Sequence, residues 1–325
     1  MTVLEVATVD YHTAGEPFRI VPAGLPPVPG DTVAERRAIA LGAGGTATSP
    51  RPSALDTVRQ LLTREPRGHA GMYGGFVVPA DDSEAHLGVL FFHKDGYSTA
   101  CGHGTIALGA WAVDSGLVAA PEDGTAQVRI DVPSGRVTAL VHRVGGRTTA
   151  VTFRNVPTRV LARAVGVDTS AGRVAVDLAD SGAVYASVAV PEVSPATLDE
   201  LTARGREIRA ALLGSHDLYG VIFHQELAAG PEGQRRQRNV TVFADGQIDR
   251  SPCGSGTSAR LALLAADGWR GELLHESVIG TVFTGRVTGE RDGGLVTEVT
   301  GQAHRTGEHR FVLAEADALG TGFLL

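Results

Sequence analysis

The chain has 325 residues, of which 43% are hydrophobic, 36 are acidic and 29 are basic, so its formal net charge is −7. A chain of this length can bury a large core and is more typical of two domains than of one. The negative charge and the aromatic content of 5% argue against nucleic acid or an anionic membrane as a main partner, because the field repels polyanions and few rings are available for base stacking.

Two further features concern where the protein works. The first residues lack a basic stretch followed by an apolar one, and no apolar run approaches the ~18 residues that span a membrane. Two cysteines are too few for a disulfide framework in a chain of this length. We therefore expect a cytoplasmic protein in which both cysteines remain thiols.

Short runs rich in Val, Ile and Thr, separated by Gly, Pro and Asp, predict many strands. In chain order the predicted strands are 4–9, 18–21, 87–93, 126–132, 136–144, 150–155, 173–177, 183–190, 220–224, 239–243, 277–288, 295–300 and 309–313. The predicted helices are 31–41, 54–62, 102–115, 197–213 and 254–267. The Gly-rich run 41–52 predicts a mobile surface loop.

The two cysteines begin two copies of one short pattern. Cys-Gly-His-Gly-Thr-Ile-Ala-Leu-Gly-Ala begins at Cys101 and Cys-Gly-Ser-Gly-Thr-Ser-Ala-Arg-Leu-Ala begins at Cys253, with six of ten positions identical. Each run reaches a glycine fifteen residues after its cysteine, at Gly116 and Gly268. The following helices are apolar on all sides, which predicts burial. We expect two related halves that present one thiol each to a shared site, an arrangement suited to proton transfer on opposite faces of one carbon.

A glycine-rich loop that enters a helix leaves backbone N–H groups unpaired and, with the helix dipole, forms a seat for an anion such as a carboxylate. The same field predicts a lowered thiol pKa at this position. Four glycines would let the backbone approach a ligand closely: Gly102, Gly104, Gly254 and Gly256. Thr105 and Thr257 would donate a hydroxyl hydrogen bond or cap the helix. The alternative is a plain helix start with structural thiols.

Other polar residues are open to two interpretations. Asp249 either binds a cationic group or caps a turn beside Arg250, and His103 either contacts a ligand or is structural. Glu16 and His69 lie in Gly/Pro turns and are as compatible with an architectural role as with a catalytic one. We expect a solvated polar face near the end of the chain, formed by His304, Arg305 and His309.

Nucleotide and metal sites are not predicted. The chain has no phosphate-loop lysine and no dinucleotide-binding glycine pattern in the required context. The pair Cys101 and His103 has a spacing that suits no standard zinc pattern. We therefore expect neither a metal nor a cofactor.

At these residues the chain resembles the proline racemase family, cofactor-independent enzymes that include hydroxyproline 2-epimerases and trans-3-hydroxy-L-proline dehydratases. The resemblance extends over nearly the whole chain and is carried by the motifs at 10–17, 65–69, 96–104, 249–257 and 319–323. Ala100 departs from the family pattern, since many members have methionine there, and this difference should affect packing more than chemistry.

The resemblance implies an α/β (α+β) fold of the diaminopimelate-epimerase-like type. Such a fold has two pseudo-symmetric lobes, each a β-barrel around a central helix, with the active site in the cleft between them. It further implies a C-terminal strand that returns to the first lobe, and a homodimer. With Pro133-Ser-Gly135 as the crossing point, the expected domains are 1–133 with 308–325, carrying Cys101, and 134–307, carrying Cys253.

The resemblance also implies the roles of individual residues. Cys101 and Cys253 become the paired acid and base acting on a small imino acid, and Asp249 holds its ring nitrogen. The implied substrate-binding residues are Gly102, His103, Asp249, Gly254, Ser255, Gly256 and Thr257. His69 and Gly104 are further candidates.

Two reactions and one remote alternative remain open. A thiol on each face favours inversion at Cα of proline or hydroxyproline, as in proline racemase or 4-hydroxyproline 2-epimerase, whereas family dehydratases commonly have threonine at the second position. Against this, the runs 67–74 and 96–99 look more like the branch of trans-3-hydroxy-L-proline dehydratases, which form Δ1-pyrroline-2-carboxylate. The remote alternative is a non-catalytic thiol redox or binding protein on the same scaffold.

Overall fold

A computed structural model describes residues 2–42, 53–243 and 246–325. In these ranges the chain forms five α-helices, α1 Val33–Ala40, α2 Ala54–Thr63, α3 Gly102–Asp114, α4 Leu198–Leu212 and α5 Gly254–Ala266. The strands are β1 Thr2–Thr13, β2 Glu16–Val21, β3 Gly74–Val78, β4 Leu87–His93, β5 Gly96–Tyr97, β6 Gly124–Val132, β7 Gly135–Val144, β8 Arg147–Arg154, β9 Arg159–Thr169, β10 Gly172–Asp180, β11 Val184–Ala189, β12 Leu218–Glu226, β13 Arg235–Phe243, β14 Leu273–Ser277, β15 Val282–Arg291, β16 Gly294–Gly301 and β17 Ala303–Ala314.

The predicted helices agree with these elements to within one or two residues at each end. The predicted strand 277–288 is wrong as a single element, because a turn separates β14 from β15. Gly280 lies in that turn with φ +84°, a conformation that disfavours other residues. Sequence patterns missed β3, β5, β9 and all of β14 except Ser277. Of the predicted loop 41–52, residues 43–52 lie outside the described part of the chain.

The strand pairing repeats itself along the chain. In the first half β2 pairs in parallel with β3, β3 antiparallel with β4, and β4 in parallel with β6. In the second half β11, β12, β13 and β14 repeat this order of parallel, antiparallel and parallel pairs. The cysteine helices occupy the same place, since α3 connects β4 to β6 and α5 connects β13 to β14. The sequence repeat is therefore a repeat of the fold.

The two halves join through strands. β8 and its counterpart β16 pair antiparallel with each other, and β17 returns from the second half to pair antiparallel with β1. β7 and β8 continue the sheet from β6 and pack on α3, which differs from the predicted division after residue 133. We therefore propose that the first half extends through β8.

Both cysteine helices are enclosed by strands. Residues 102–113 of α3 and 254–265 of α5 are all buried. α3 packs on strands of the first half and on β17, whereas α5 packs on β9, β10, β11, β15 and β16. This arrangement confirms the predicted mixed fold of two similar lobes, each built around a central helix. None of the described helices is long and apolar enough to cross a membrane.

Candidate active site

The first thiol lies at the start of α3. Cys101 is the N-cap residue, with extended backbone angles of φ −157° and ψ 106°. Its Sγ accepts a hydrogen bond from the backbone N–H of Gly104 at 3.2 Å, which is the contact by which an N-cap side chain satisfies the first helical turn. A Cβ on Gly104 would lie 2.9 Å from this sulfur. The residue must therefore be glycine for the sulfur to occupy the helix N-terminus.

The second thiol occupies the equivalent position before α5. Cys253 is its N-cap residue, but its backbone has φ +64° and ψ 108°, a strained combination for a residue with a side chain. A Cβ on Gly256 would lie 2.9 Å from its Sγ. Cys253 is 3% exposed and Cys101 is 6% exposed. The strain at Cys253 is of the kind that persists where the surrounding structure holds a functional side chain in place.

The N-termini of α3 and α5 meet through glycine. A Cβ on Gly102 would lie 2.5 Å from Cα of Gly254, and a Cβ on Gly254 would lie 2.7 Å from Cα of Gly102. Each of these glycines directly follows one of the cysteines. The structure thus brings the two thiols, 152 positions apart in the sequence numbering, to neighbouring segments at the junction of the two halves.

This contact predicts the effect of a single methyl group. Gly102→Ala should push the two helix starts apart, because the obstructing atoms are backbone, and should lower the free energy of unfolding by about 1–3 kcal/mol. Gly289→Ala is the matched control, because a Cβ there meets nothing within 4 Å. Urea unfolding of the two variants measures the difference. Equal stability of both would contradict the close contact.

Burial controls the ionisation of both thiols. The pKa of Cys101 is raised well above its ordinary value, mainly by burial, and Asp249, Cys253 and Glu16 add to the rise, while the Gly104 N–H opposes it. Burial likewise raises the pKa of Cys253, with Asp249 as the next cause. The predicted lowering of the thiol pKa is therefore wrong for this closed site, because desolvation outweighs the helix terminus.

A buried acidic pair lies beside the thiols. Asp249 is fully buried, and its Oδ1 accepts hydrogen bonds from the N–H of Ser251 at 2.8 Å and from its hydroxyl at 2.7 Å. Its Oδ2 has no hydrogen-bond partner among the described residues. Glu16 accepts hydrogen bonds from the backbone and side chain of Arg250 at 2.8 and 2.9 Å. Burial and the neighbouring Asp249 nevertheless raise the pKa of Glu16 well above its usual range.

His103 connects the acidic pair to the first thiol. Its Nδ1 lies 3.5 Å from Sγ of Cys101 and 3.9 Å from Oδ2 of Asp249. Burial lowers the pKa of His103 to about 4, and Arg250 also lowers it, while Asp249 opposes the shift. The imidazole is therefore neutral at pH 7.

Tyrosine hydroxyls, which the sequence analysis did not identify, complete the surroundings. Tyr185 Oη lies 2.7 Å from Oγ of Ser255 and 3.9 Å from Sγ of Cys253. Tyr73 Oη lies 2.7 Å from Oη of Tyr219 and also contacts Oγ of Ser98. Tyr185 and Tyr219 lie in β11 and β12 with no distinguishing motif, whereas Tyr73 lies in the run 67–74 that resembles the dehydratase branch.

A cavity opens between the two halves next to these groups. Its lining residues are Glu16, Ala70, Gly71, Met72, Tyr73, His93, Tyr219, Phe243, Gln247 and Ile248. Its volume is about 20 Å³, enough for about one water molecule. A five-membered imino acid is larger than this, so the cavity must widen before a substrate can enter.

The predicted site residues fall into two groups. Gly102, His103, Gly104, Asp249, Gly254, Ser255 and Gly256 gather around the two thiols. Thr257 does not present its hydroxyl to a substrate, because this group contacts the carbonyl of Cys253 at 2.7 Å and Nδ1 of His275 at 2.8 Å. His69 is exposed and does not line the cavity.

Known proteins match this chain along almost its full length. The family model described as "Proline racemase" matches residues 8–324. A protein of Mus musculus named trans-L-3-hydroxyproline dehydratase is 40% identical, with 98% of this chain and 94% of the relative covered. A protein of Burkholderia multivorans named 3-hydroxyproline 2-epimerase is 39% identical, with 98% of each covered.

A solved structure shows the same fold. The hydroxyproline epimerase of Agrobacterium vitis, crystallised with bound trans-4-hydroxy-L-proline, superposes with a TM-score of 0.87 at 27% identity, covering 99% of this chain and 95% of that one. The sequence match and the structural match both extend over the two halves of the chain. The chain belongs to the proline racemase family.

Proposed function

We propose that this protein removes and returns the α-proton of 3-hydroxyproline, with inversion at Cα as its main outcome. The names of the mouse and Burkholderia relatives support this substrate. They favour it over the proline or 4-hydroxyproline that the sequence analysis placed first. The mouse name further supports dehydration, the alternative of that analysis, better than inversion of proline or 4-hydroxyproline.

The observation that carries the proposal is the pair of thiols at touching helix N-termini. Inversion needs one group to take the α-proton from one face of Cα and another to deliver a proton to the opposite face. Cys101 and Cys253 come from different halves and meet through Gly102 and Gly254. We assign one cysteine as thiolate base and the other as thiol acid, with the roles exchanged for the epimer of opposite configuration at Cα.

The charged ends of a zwitterionic imino acid have matching partners here. The first-turn N–H groups at Gly102, His103, Gly254 and Ser255 lack partners within their helices and suit the carboxylate. Asp249 offers its unpartnered Oδ2 to the ring ammonium, next to the neutral His103. These contacts hold Cα between the thiols and stabilise the charge that develops when its proton leaves.

The proton count of one turnover balances. The thiolate takes the α-proton and becomes a thiol, the electron pair stays on the substrate as a carbanion, and the opposite thiol donates its proton and becomes the thiolate. Because burial raises both thiol pKa values, the starting thiolate must form while the cleft is open to water or as the substrate cation enters. Closure then excludes water from the carbanion.

Dehydration is the second candidate, and stereochemistry explains how it relates to the first. In trans-3-hydroxy-L-proline the α-hydrogen and the 3-hydroxyl lie on the same face of the ring. One thiolate can therefore remove the proton and, as a thiol, protonate the departing hydroxyl. The second thiol is not needed for this elimination, but inversion requires it. The presence of Cys253 thus favours inversion.

The deciding experiment follows trans-3-hydroxy-L-proline in heavy water by NMR. Inversion yields cis-3-hydroxy-D-proline with deuterium at Cα, whereas dehydration yields Δ1-pyrroline-2-carboxylate. L-proline and trans-4-hydroxy-L-proline are tested beside it. Faster labelling of either of these would overturn the proposed substrate. Neither labelling nor dehydration of any of the three would favour the redox or binding alternative. The expected homodimer and cytoplasmic location stay predictions, and sedimentation equilibrium tests the first.

A further inference from the structure

Three side-chain hydroxyls form a connected group where the two halves meet. We call Tyr73, Ser98 and Tyr219 the hydroxyl trio. Tyr73 Oη lies 2.7 Å from Oη of Tyr219 and contacts Oγ of Ser98. Tyr73 and Ser98 belong to the first half of the chain and Tyr219 to β12 of the second half. The group therefore spans the junction between the two halves.

The trio adjoins both sides of the proposed site. The ring of Tyr73 packs edge-on against His103, with centroids 5.1 Å apart. The ring of Tyr219 packs edge-on against Tyr185 at 5.8 Å, and Tyr185 contacts Sγ of Cys253. Tyr73 and Tyr219 both line the cavity between the halves. A ligand between the two thiols would thus lie beside these hydroxyls.

The chemistry of the trio suits a neutral hydroxyl. Burial raises the pKa of Tyr73 and of Tyr219 well above the ordinary value, so both remain phenols that can donate and accept. Neighbouring parts of the cavity wall are apolar and include Met72, Phe243 and Ile248. A buried polar group on the ligand would need a partner here, and the trio supplies it.

The other groups of the substrate already have partners, which leaves one part of it for the trio. In the proposed binding mode, the carboxylate takes the helix N-termini and the ring nitrogen takes Asp249. What remains of a hydroxyproline is its ring with one hydroxyl. We propose that the hydroxyl trio binds this ring hydroxyl and makes the site prefer 3-hydroxyproline to proline. The inference rests on the proposed function, since it identifies which residues select that substrate.

The position of Tyr219 adds a consequence for closure. Its hydroxyl reaches Tyr73 only when the halves are together, so a ring hydroxyl that joins the trio links both halves at once. Proline has no such group and would leave the buried phenols with only each other as partners. A site built to hydrogen-bond a substrate hydroxyl discriminates against the analogue that lacks it.

The test measures binding of trans-3-hydroxy-L-proline and L-proline by calorimetry, together with initial rates of α-deuterium exchange. Wild type, Tyr219→Phe and Ser98→Ala are compared. Each variant should weaken binding of 3-hydroxyproline about tenfold, the size of one lost hydrogen bond, and change binding of proline less than about twofold. Tyr97→Phe is the matched control, because it removes a buried phenol hydroxyl with no hydrogen-bond partner among the described residues.

The outcomes separate this inference from the proposed function. Equal weakening of both ligands in Tyr219→Phe and Ser98→Ala would overturn the assignment of the trio, as would a wild-type protein that binds proline as tightly as 3-hydroxyproline. A wild-type protein that prefers 3-hydroxyproline through these residues but neither labels nor dehydrates it would support the trio and refute the proposed reaction. If Tyr219→Phe or Ser98→Ala misfolds, Tyr73→Phe replaces it as the second single variant in the same comparison.

Discussion

Replacing Cys253 with serine should reduce inversion at Cα of 3-hydroxyproline by about a thousandfold or more, and Cys101→Ser should do the same. A serine hydroxyl is nearly isosteric with the thiol but is a far weaker acid, so it neither forms the base at neutral pH nor donates a proton fast enough. Initial rates followed by NMR or polarimetry measure the loss. Full inversion activity in either variant would refute the two-base assignment.

Each single variant also provides the control for the other. The remaining thiol can still exchange the α-proton on its own face, so Cys101→Ser and Cys253→Ser should each label a different one of the two 2-epimers, trans-3-hydroxy-L-proline and cis-3-hydroxy-D-proline, in heavy water without interconverting them. A general defect in folding would instead abolish labelling of both epimers. Complementary labelling therefore tests whether the two sulfur atoms face opposite sides of Cα.

Cys253→Thr distinguishes the two candidate reactions in the same background. Threonine cannot protonate the carbanion from the second face. The carbanion therefore either loses the 3-hydroxyl or takes a proton back on the first face. We expect inversion to disappear in this variant while any formation of Δ1-pyrroline-2-carboxylate persists or increases. Loss of dehydration together with inversion would mean that elimination also needs the second thiol.

The second large effect concerns stability at alkaline pH. Both thiols have raised pKa values in the folded protein, whereas in the unfolded chain they ionise near pH ~8.5. Their contribution to stability is complete below the pKa of the unfolded chain. It falls progressively as pH rises from that value and is fully lost once pH passes the folded pKa. For two thiols the free energy of unfolding should fall by about 3 kcal/mol between pH 7 and pH 9.5.

Urea unfolding at several pH values measures this slope. Buried tyrosines with raised pKa values also respond, but only above their unfolded pKa of about 10, so pH 9.5 is the upper limit of the comparison. A variant with Cys101→Ala and Cys253→Ala should have lower stability at pH 7 because of the cavities it creates, but a much flatter dependence on pH. An unchanged slope would show that other groups cause it.

Local patterns were sufficient for most of the secondary structure. The Ala- and Leu-rich segments after Cys101 and Cys253 form buried helices, as their all-round apolar character predicts. The prediction was wrong at 277–288, where the strand-forming residues continue through a turn at Gly280. It missed β9, where the alternation that includes Val160 and Ala162 changes phase at Ala164, whose φ is +52°, before Val165 and Val167.

Residues of the candidate site were predicted from the sequence mainly where they lie in short motifs. The repeated cysteine pattern identified the thiols and the glycines, and the family resemblance of the motif 249–257 added Asp249, because these residues lie in short motifs. Tyr73 and Ser98 lie in the runs 67–74 and 96–99 that resemble the dehydratase branch, but these runs did not identify them as site residues. Tyr185 and Tyr219 lie in no such motif. The motif also suggested Thr257 as a substrate contact; its hydroxyl is bonded to the carbonyl of Cys253 and to His275, and its role at the site stays a prediction.

The sequence by itself determined the duplicated plan, the family and the two thiols, because each of these is written in residues that are close together in the chain. Only the tertiary structure decided that the helix starts touch through Gly102 and Gly254, that the thiol pKa values rise and that three hydroxyls meet beside the site. Desolvation and contact depend on distances between residues far apart in sequence. The helix dipole is a local effect, and at Cys101 and Cys253 the burial imposed by the whole fold outweighs it.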